Sequence, residues 1–279
     1  MFTQREPERR SRRHFFRLVA AGAALIPLLA AKAAGAMDGR IPGRPRGGGE
    51  SSVGGCHPNH PCCLVRGTAI LTDGGQVAIE SLEIGTLVMT ESGALKPIVG
   101  IGRLACSKAA NAPWEANVAP ILVTQSAISP GVPERDLHLS ANHSIWIDDH
   151  LIPVRHLVNG SSIVQVPTEV DSIEYYHLEL AQHEVMYAEG LTVESLQVTD
   201  AETYRNFTEF RRDEGAHPAG AMVPYGPMLG YAGGRREAAA LVRLAIYPWF
   251  DVRDRIQIVY DRLAARAEIL HAGKRRYAA

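Results

Sequence analysis

Cys63-Leu-Val-Arg-Gly67-Thr68-Ala-Ile-Leu-Thr72 is a short apolar and β-branched run with a cysteine at its head, stopped by Asp73-Gly-Gly75. Its length and composition suit a strand, and its end suits a tight turn. The same pattern recurs at 76–79, 87–90, 98–101, 121–124, 137–140, 144–147, 163–166, 175–180, 184–188 and 191–193, all rich in Val, Ile, Leu and Thr. Glu91-Ser-Gly93, Asp148-Asp149 and Asn159-Gly160 punctuate these runs. Many short strands divided by Gly and Asp turns predict an all-β domain over residues 63–198.

The flanks differ in character. Residues 37–62 are rich in Gly, Pro and Arg and poor in large apolar side chains, which predicts a flexible linker that cannot offset its ordering entropy by burial. Beyond the β region, 199–279 reads as a mostly helical extension. An apolar loop at 219–234 is broken by Gly and Pro, and a helix over 235–247 is stopped by Pro248. A second helix is expected to be capped by Asp251 with Asp254 in its first turn. On it Ile256, Val259, Tyr260, Leu263, Ala264, Ala267 and Leu270 share one face at helical spacing, the pattern of a helix packed on the β domain.

Residues 1–36 carry Arg12-Arg13, an apolar run over 18–31, Lys32 and the small-residue site Ala34-Gly35-Ala36. This segment resembles a twin-arginine export signal, which implies export, to the periplasm in particular. The apolar run falls short of the ~20 residues that span a bilayer. Without this segment the chain holds 22 basic and 28 acidic residues, a formal charge of −6, and no basic stripe that would suit nucleic acid.

Cys63 and the distant His143, in Ser140-Ala-Asn-His143, are the residue types of thiol-based acyl chemistry, a nucleophile and an imidazole joined only by folding. A competing reading lies upstream. Cys56-His57-Pro-Asn-His60-Pro-Cys62-Cys63 gathers soft ligands for a zinc or copper ion, although its compact spacing and two prolines fit no common closed framework. A disulfide from Cys56 to Cys62 or Cys106 and a reactive single thiol are the other readings of the four cysteines, and no cofactor is expected. Thr68 and Thr72 read as strand residues; His138, His150, His156 and His177 read as structural.

Three ordered blocks then resemble a Hint domain, the autoprocessing module of inteins and Hedgehog C-terminal regions, and its bacterial relatives most of all. They are Cys63–Ile70 with Val77–Val88, Leu137–His143, and Tyr176–Val193. The resemblance implies an all-β, horseshoe-like fold and an N–S acyl shift at the Cys62–Cys63 bond, with the chain's own N-terminal segment as substrate. Cys63 would be the nucleophile, His143 the proton carrier, Ser140 (where the family usually has Thr) the partner of the scissile amide, and His183 an assisting histidine. Splicing domains end this region in His and Asn, whereas this chain has Val193-Glu194-Ser195-Leu196, so C-terminal cleavage and ligation are not expected. No carboxylate stands in 99–106 for sterol transfer. What remains is N-terminal thioester formation resolved by water or a small external nucleophile. The alternative is a catalytically silent Hint fold serving as a binding or structural module in the cell envelope. No protein partner of the C-terminal helices is indicated.

Overall fold

In a computed structural model of the chain, the described residues are 62–109, 112–166, 169–213, 220–230 and 254–277, within the unit Ser52–Ala279. They form two antiparallel sheets. One has the order β11 (Ile163–Gln165), β7 (Ile121–Val123), β8 (Leu137–Leu139), β1 (Leu64–Val65), β12 (Ser172–Glu179), β6 (Gly100–Ser107) and β15 (Glu209–Arg212). The other runs β10 (His150–Pro153), β9 (Ser144–Ile147), β14 (Leu191–Glu194), β13 (Val185–Ala188), β2 (Ala69–Thr72), β4 (Leu87–Met89) and β5 (Leu95–Pro97), with β3 (Gly75–Ala78) on β2. The fold is all-β with a C-terminal helix, as expected.

Alternation and strand position explain the burial. Leu137 and Leu139 of β8 are buried while His138 between them is half-exposed, the period-2 pattern of a strand with one core face. β12 is buried from Tyr175 to Glu179 because β1 and β6 flank it on both edges. A single apolar cluster draws Leu64, Ile121, Leu139 and Leu178 from one sheet and Ile70, Val88, Ile145, Met186 and Val193 from the other. The chain passes between sheets repeatedly: β1 to β2 through 66–68, β8 to β9 through 140–143, and β12 to β13 through 180–184.

Among its described residues the C-terminal part holds an edge strand as well as a helix. After a 3-10 turn at Ala201–Asn206, residues Glu209–Arg212 form an edge strand on β6. No apolar alternation announces this strand, since its docking comes from side chains that reach into the domain. The Arg212 guanidinium pairs with the buried Glu179 carboxylate, which also accepts a 3.0 Å bond from the Tyr204 hydroxyl. Gly102 leaves room for the Phe207 ring, which would lie 2.6 Å from any Cβ there. The described helix is α1 (Arg255–Tyr277), and Asp254 caps it by accepting the Gln257 N–H at 2.9 Å, so Asp254 sits before the helix rather than in its first turn. Asp251 and the expected helix at 235–247 lie outside the described residues. Val259, Leu263 and Ala267 are buried against the domain, and Arg262 pairs with Asp148 at 2.9 Å. Among the described residues no helix is long and apolar enough to cross a membrane.

Leu263 is fully enclosed by the core. Leu263→Ala is expected to lower stability by about 3 kcal/mol, read as a fall in the urea midpoint in a Cys63→Ala background. A loss below about 0.5 kcal/mol, the range of exposed substitutions, would show that the helix does not contribute to the core.

Candidate active site at the seam of the two sheets

Cys63 stands immediately before β1, and its place follows from register. Leu64 of β1 pairs with Leu139 of β8, so the next step along both strands sets Cys63 opposite Ser140. The two residues bond reciprocally: the Cys63 N–H donates to Ser140 Oγ at 2.7 Å, and the Ser140 N–H donates to the Cys63 carbonyl at 2.9 Å. The Ser140 hydroxyl therefore sits on the nitrogen of the Cys62–Cys63 peptide bond. A turn closed by the His143 N–H on the Ser140 carbonyl, 3.1 Å, then carries the chain into the other sheet.

Cys63 is 1% exposed, enclosed by Leu104, Val118, Ile173 and Tyr175 with Trp114 against them. Burial pushes its thiol far above the usual cysteine range, with the nearby Cys106 adding to the effect. The thiol is thus neutral at pH 7. The residue before it, Cys62, is disulfide-bonded and buried among Leu196, Val198 and Met222.

His143 is fully buried, and neither ring nitrogen has a hydrogen-bond partner of normal geometry. Desolvation lowers its pKa, opposed in part by Glu194 and by a weak contact with the Cys62 backbone. That contact places the imidazole beside the Cys62–Cys63 peptide. His177 of β12 lies 5.0 Å away, ring centre to ring centre, and its pKa is pushed down to about 3, mainly by burial and then by His143. His183 sets Nε2 3.7 Å from the Glu194 carboxylate and accepts the Tyr225 N–H on Nδ1 at 3.1 Å. An accepting Nδ1 leaves the neutral ring's proton on Nε2, toward Glu194. Burial raises the Glu194 pKa, but the close contact with His183 and the fields of His143, His183 and His177 outweigh it and hold the group below the usual carboxylate range. Glu194 also accepts the Ser144 N–H at 2.6 Å.

The fold brings together Cys63, Ser140, His143 and, around Glu194, His183. It adds His177 and Glu194, which sequence reasoning left out. His177 carries no signal of its own; only the pairing of Tyr176 with Leu64 sets it beside Cys63. Glu194 had a signal, a carboxylate in the stretch Val193–Leu196 that stands out in the sequence for lacking His and Asn. Thr68 and Thr72 bond to nearby carbonyls in turns, Val65 and Gly75 at 2.7 Å each, which is a strand-end role. Cys106 is a free thiol, which overturns a Cys56–Cys106 disulfide. The disulfide at Cys62 removes that sulfur as a thiolate ligand, while Cys56, His57 and His60 lie outside the described residues. Among the described residues no group of three or more His, Cys, Asp or Glu is placed to hold a metal ion.

A strap from outside the expected β domain closes the site. Residues 220–230 run along β10, with the Leu151 N–H on the Pro227 carbonyl and the Leu229 N–H on the Leu151 carbonyl, 2.9 and 2.8 Å. The Tyr225 ring stacks edge-on to Trp146 at 5.1 Å, and its hydroxyl bonds to Glu91 at 2.5 Å.

A family model described as Hint domain matches residues 62–200. Among solved structures, a bacterial intein-like domain from Clostridium thermocellum is 15% identical, covering 48% of this chain and 98% of that one, with a TM-score of 0.36. The gp41-1 intein is 14% identical over 47% of this chain and 96% of that one, with a TM-score of 0.34. A DnaB intein from Synechocystis sp. PCC 6803 is 16% identical over 48% and 98%, with a TM-score of 0.31. No curated protein matches the chain. The family model, together with three ordered sequence blocks and the two-sheet fold, makes residues 62–200 a Hint domain, a domain of the autoprocessing type.

Proposed function

We propose that this chain cleaves itself at the Cys62–Cys63 bond by an N–S acyl shift, and that it does not splice. The observation that carries this reading is the 2.7 Å bond from the Cys63 N–H to Ser140 Oγ beside the buried His143. A neutral thiol and a neutral imidazole can start the reaction without a resident thiolate. His143 takes the Cys63 thiol proton as Sγ adds to the Cys62 carbonyl carbon, then returns it to the Cys63 nitrogen as the C–N bond breaks. The products are a thioester between Cys62 and Cys63 and a free α-amine on Cys63. Ser140 holds the nitrogen in place throughout. Water or a small nucleophile then attacks the thioester, releases residues up to Cys62 and restores the thiol.

The chain's own N-terminal segment is the substrate, and the reading carries with it export through the twin-arginine signal of residues 1–36. The tight enclosure of Cys63 by apolar side chains favours a second reading, a silent Hint fold that keeps its geometry without turnover. Cleavage distinguishes them. Purified full-length protein incubated with hydroxylamine or a thiol should give a fragment starting at Cys63, read by mass spectrometry, and Cys63→Ala should give none. Ser140→Ala is expected to slow cleavage about ten- to a hundredfold, the cost of leaving a buried N–H unpaired, while Ser140→Thr retains it. If wild type and Cys63→Ala both stay full length, the silent reading replaces this one.

The histidines also limit the pH range of the domain. His143 and His177 are held neutral in the fold, His177 down to about 3, against about 6.5 in the unfolded chain. Between these values the unfolded chain binds more protons, so stability is full above about pH 6.5 and falls as the pH drops. His177 should remove about 1.4 kcal/mol per pH unit across that window, His143 adds a loss in the same direction, and the lowered Glu194 pKa adds one at still lower pH. In Cys63→Ala protein the urea midpoint should therefore drop between about pH 7.5 and 5; a flat midpoint would show that these imidazoles are not buried neutral.

A further inference from the structure

We infer that Glu194 is the buried counter-charge of the histidine cluster and serves as a positioning residue that lets His143 carry a proton. Its kinetic part rests on the acyl-shift reading above; its electrostatic part does not. The place it occupies is the one that splicing relatives use for their terminal His and Asn, so the chain has put a carboxylate where a second cleavage would start.

The argument begins with a cost. The acyl shift passes one proton through His143 inside a site that excludes water, and a charged imidazole there is strongly disfavoured unless a negative charge faces it. Glu194 is the carboxylate that the fold supplies. Its Oε1 is fixed by the Ser144 N–H, one residue beyond His143, at 2.6 Å, and its Oε2 lies 3.7 Å from His183 Nε2. Its backbone bonds to the His177 ring, which contacts His143 at 5.0 Å. The carboxylate is thus held by main chain on one side and by imidazole on the other.

The groups facing Glu194 come from every neighbouring element. His143 leads into β9, His177 lies on β12, His183 precedes β13 and Cys63 precedes β1. The strap contributes only the Tyr225 N–H, on His183. Glu189 and Glu184, the nearest other buried carboxylates in sequence, are committed to Arg135 and Lys96. When His143 takes the thiol proton, Glu194 is the negative charge already in place. When the proton passes to the Cys63 nitrogen, His143 is neutral again and the charge of the cluster is what it was before the step.

Glu194→Gln tests this, because the amide oxygen can keep the Ser144 bond while the charge is lost. In a Cys63→Ala background with isotope-labelled histidines, NMR titration should show the His143 protonation midpoint falling by about one pH unit, a tenfold change. An unchanged midpoint in a folded Glu194→Gln protein would overturn the counter-charge. If that variant fails to fold, the labelled carboxyl carbon of Glu194 in Cys63→Ala protein decides. A midpoint below the ordinary glutamate value of about 4.3 supports the inference, and one at or above it overturns it. In chains that keep Cys63, Glu194→Gln should slow cleavage at least tenfold and shift the acid limb of its pH–rate profile to lower pH, with Glu194→Asp restoring part of the rate. Cleavage at the wild-type rate in Glu194→Gln overturns the role in proton carriage. A shifted midpoint in a protein that never cleaves leaves the counter-charge standing and removes the acyl-shift reading instead.

Discussion

The reciprocal pair between Cys63 and Ser140 is the constraint on which the site depends. Two hydrogen bonds across 77 residues fix the head of the domain to the end of β8. A strand as short as β1, two residues, has little pairing energy of its own, so its register is held by Leu64 in the core and by this pair. A slip by one residue would turn Leu64 to the wrong face and take the Cys63 nitrogen away from Ser140. Core packing and site geometry therefore enforce the same register, which is why the site does not need a rigid loop to define it.

The seam between the sheets explains the chemistry of the surroundings. Cys63, His143, His183 and Glu194 lie at or beside strand ends where the chain passes from one sheet to the other, and His177 faces them from within β12. Such places have backbone groups not used by a ladder, and here several are used by side chains: Ser144 N–H by Glu194, Glu184 N–H by the Ser195 hydroxyl at 2.9 Å. The result is a polar pocket inside an apolar core. It is costly as a structural device, since buried titratable groups weaken the fold in acid. Its cost is understandable if the groups must exchange a proton where water is absent.

Much of this was legible in advance. Strands made of apolar runs, such as Ala69–Thr72 and Ser144–Ile147, stand where those runs predict them. The set Cys63, Ser140 and His143 was legible from ordered blocks. β1, β5 and β10 were not, because two to four residues give no period to read, and β10 follows a turn of two aspartates with left-handed backbone, Asp148 and Asp149 at φ of 50° and 61°. β15 was missed because it is held by Arg212 on Glu179 and not by its own pattern. His177 was missed because its importance lies in cross-strand register, a property of the pairing and not of the residue.

The asymmetry of the site is the last step. Among the described residues, the reciprocal pair, the Cys62 side chain and the His143 contact hold the chain at the Cys62–Cys63 bond. On the downstream side Ser195 bonds twice to Glu184, the Leu196 N–H reaches the Leu178 carbonyl at 2.7 Å, and the strap binds Val198 and His183. The segment after Glu194 is therefore built into the fold: a departing C-terminal segment would have to give up an edge strand, a strap and the bond that orients His183. In the proposed self-cleavage, release at the Cys62–Cys63 bond leaves these downstream contacts intact, because Glu194 and Ser195 are tied into the fold by the Ser144 and Glu184 N–H groups.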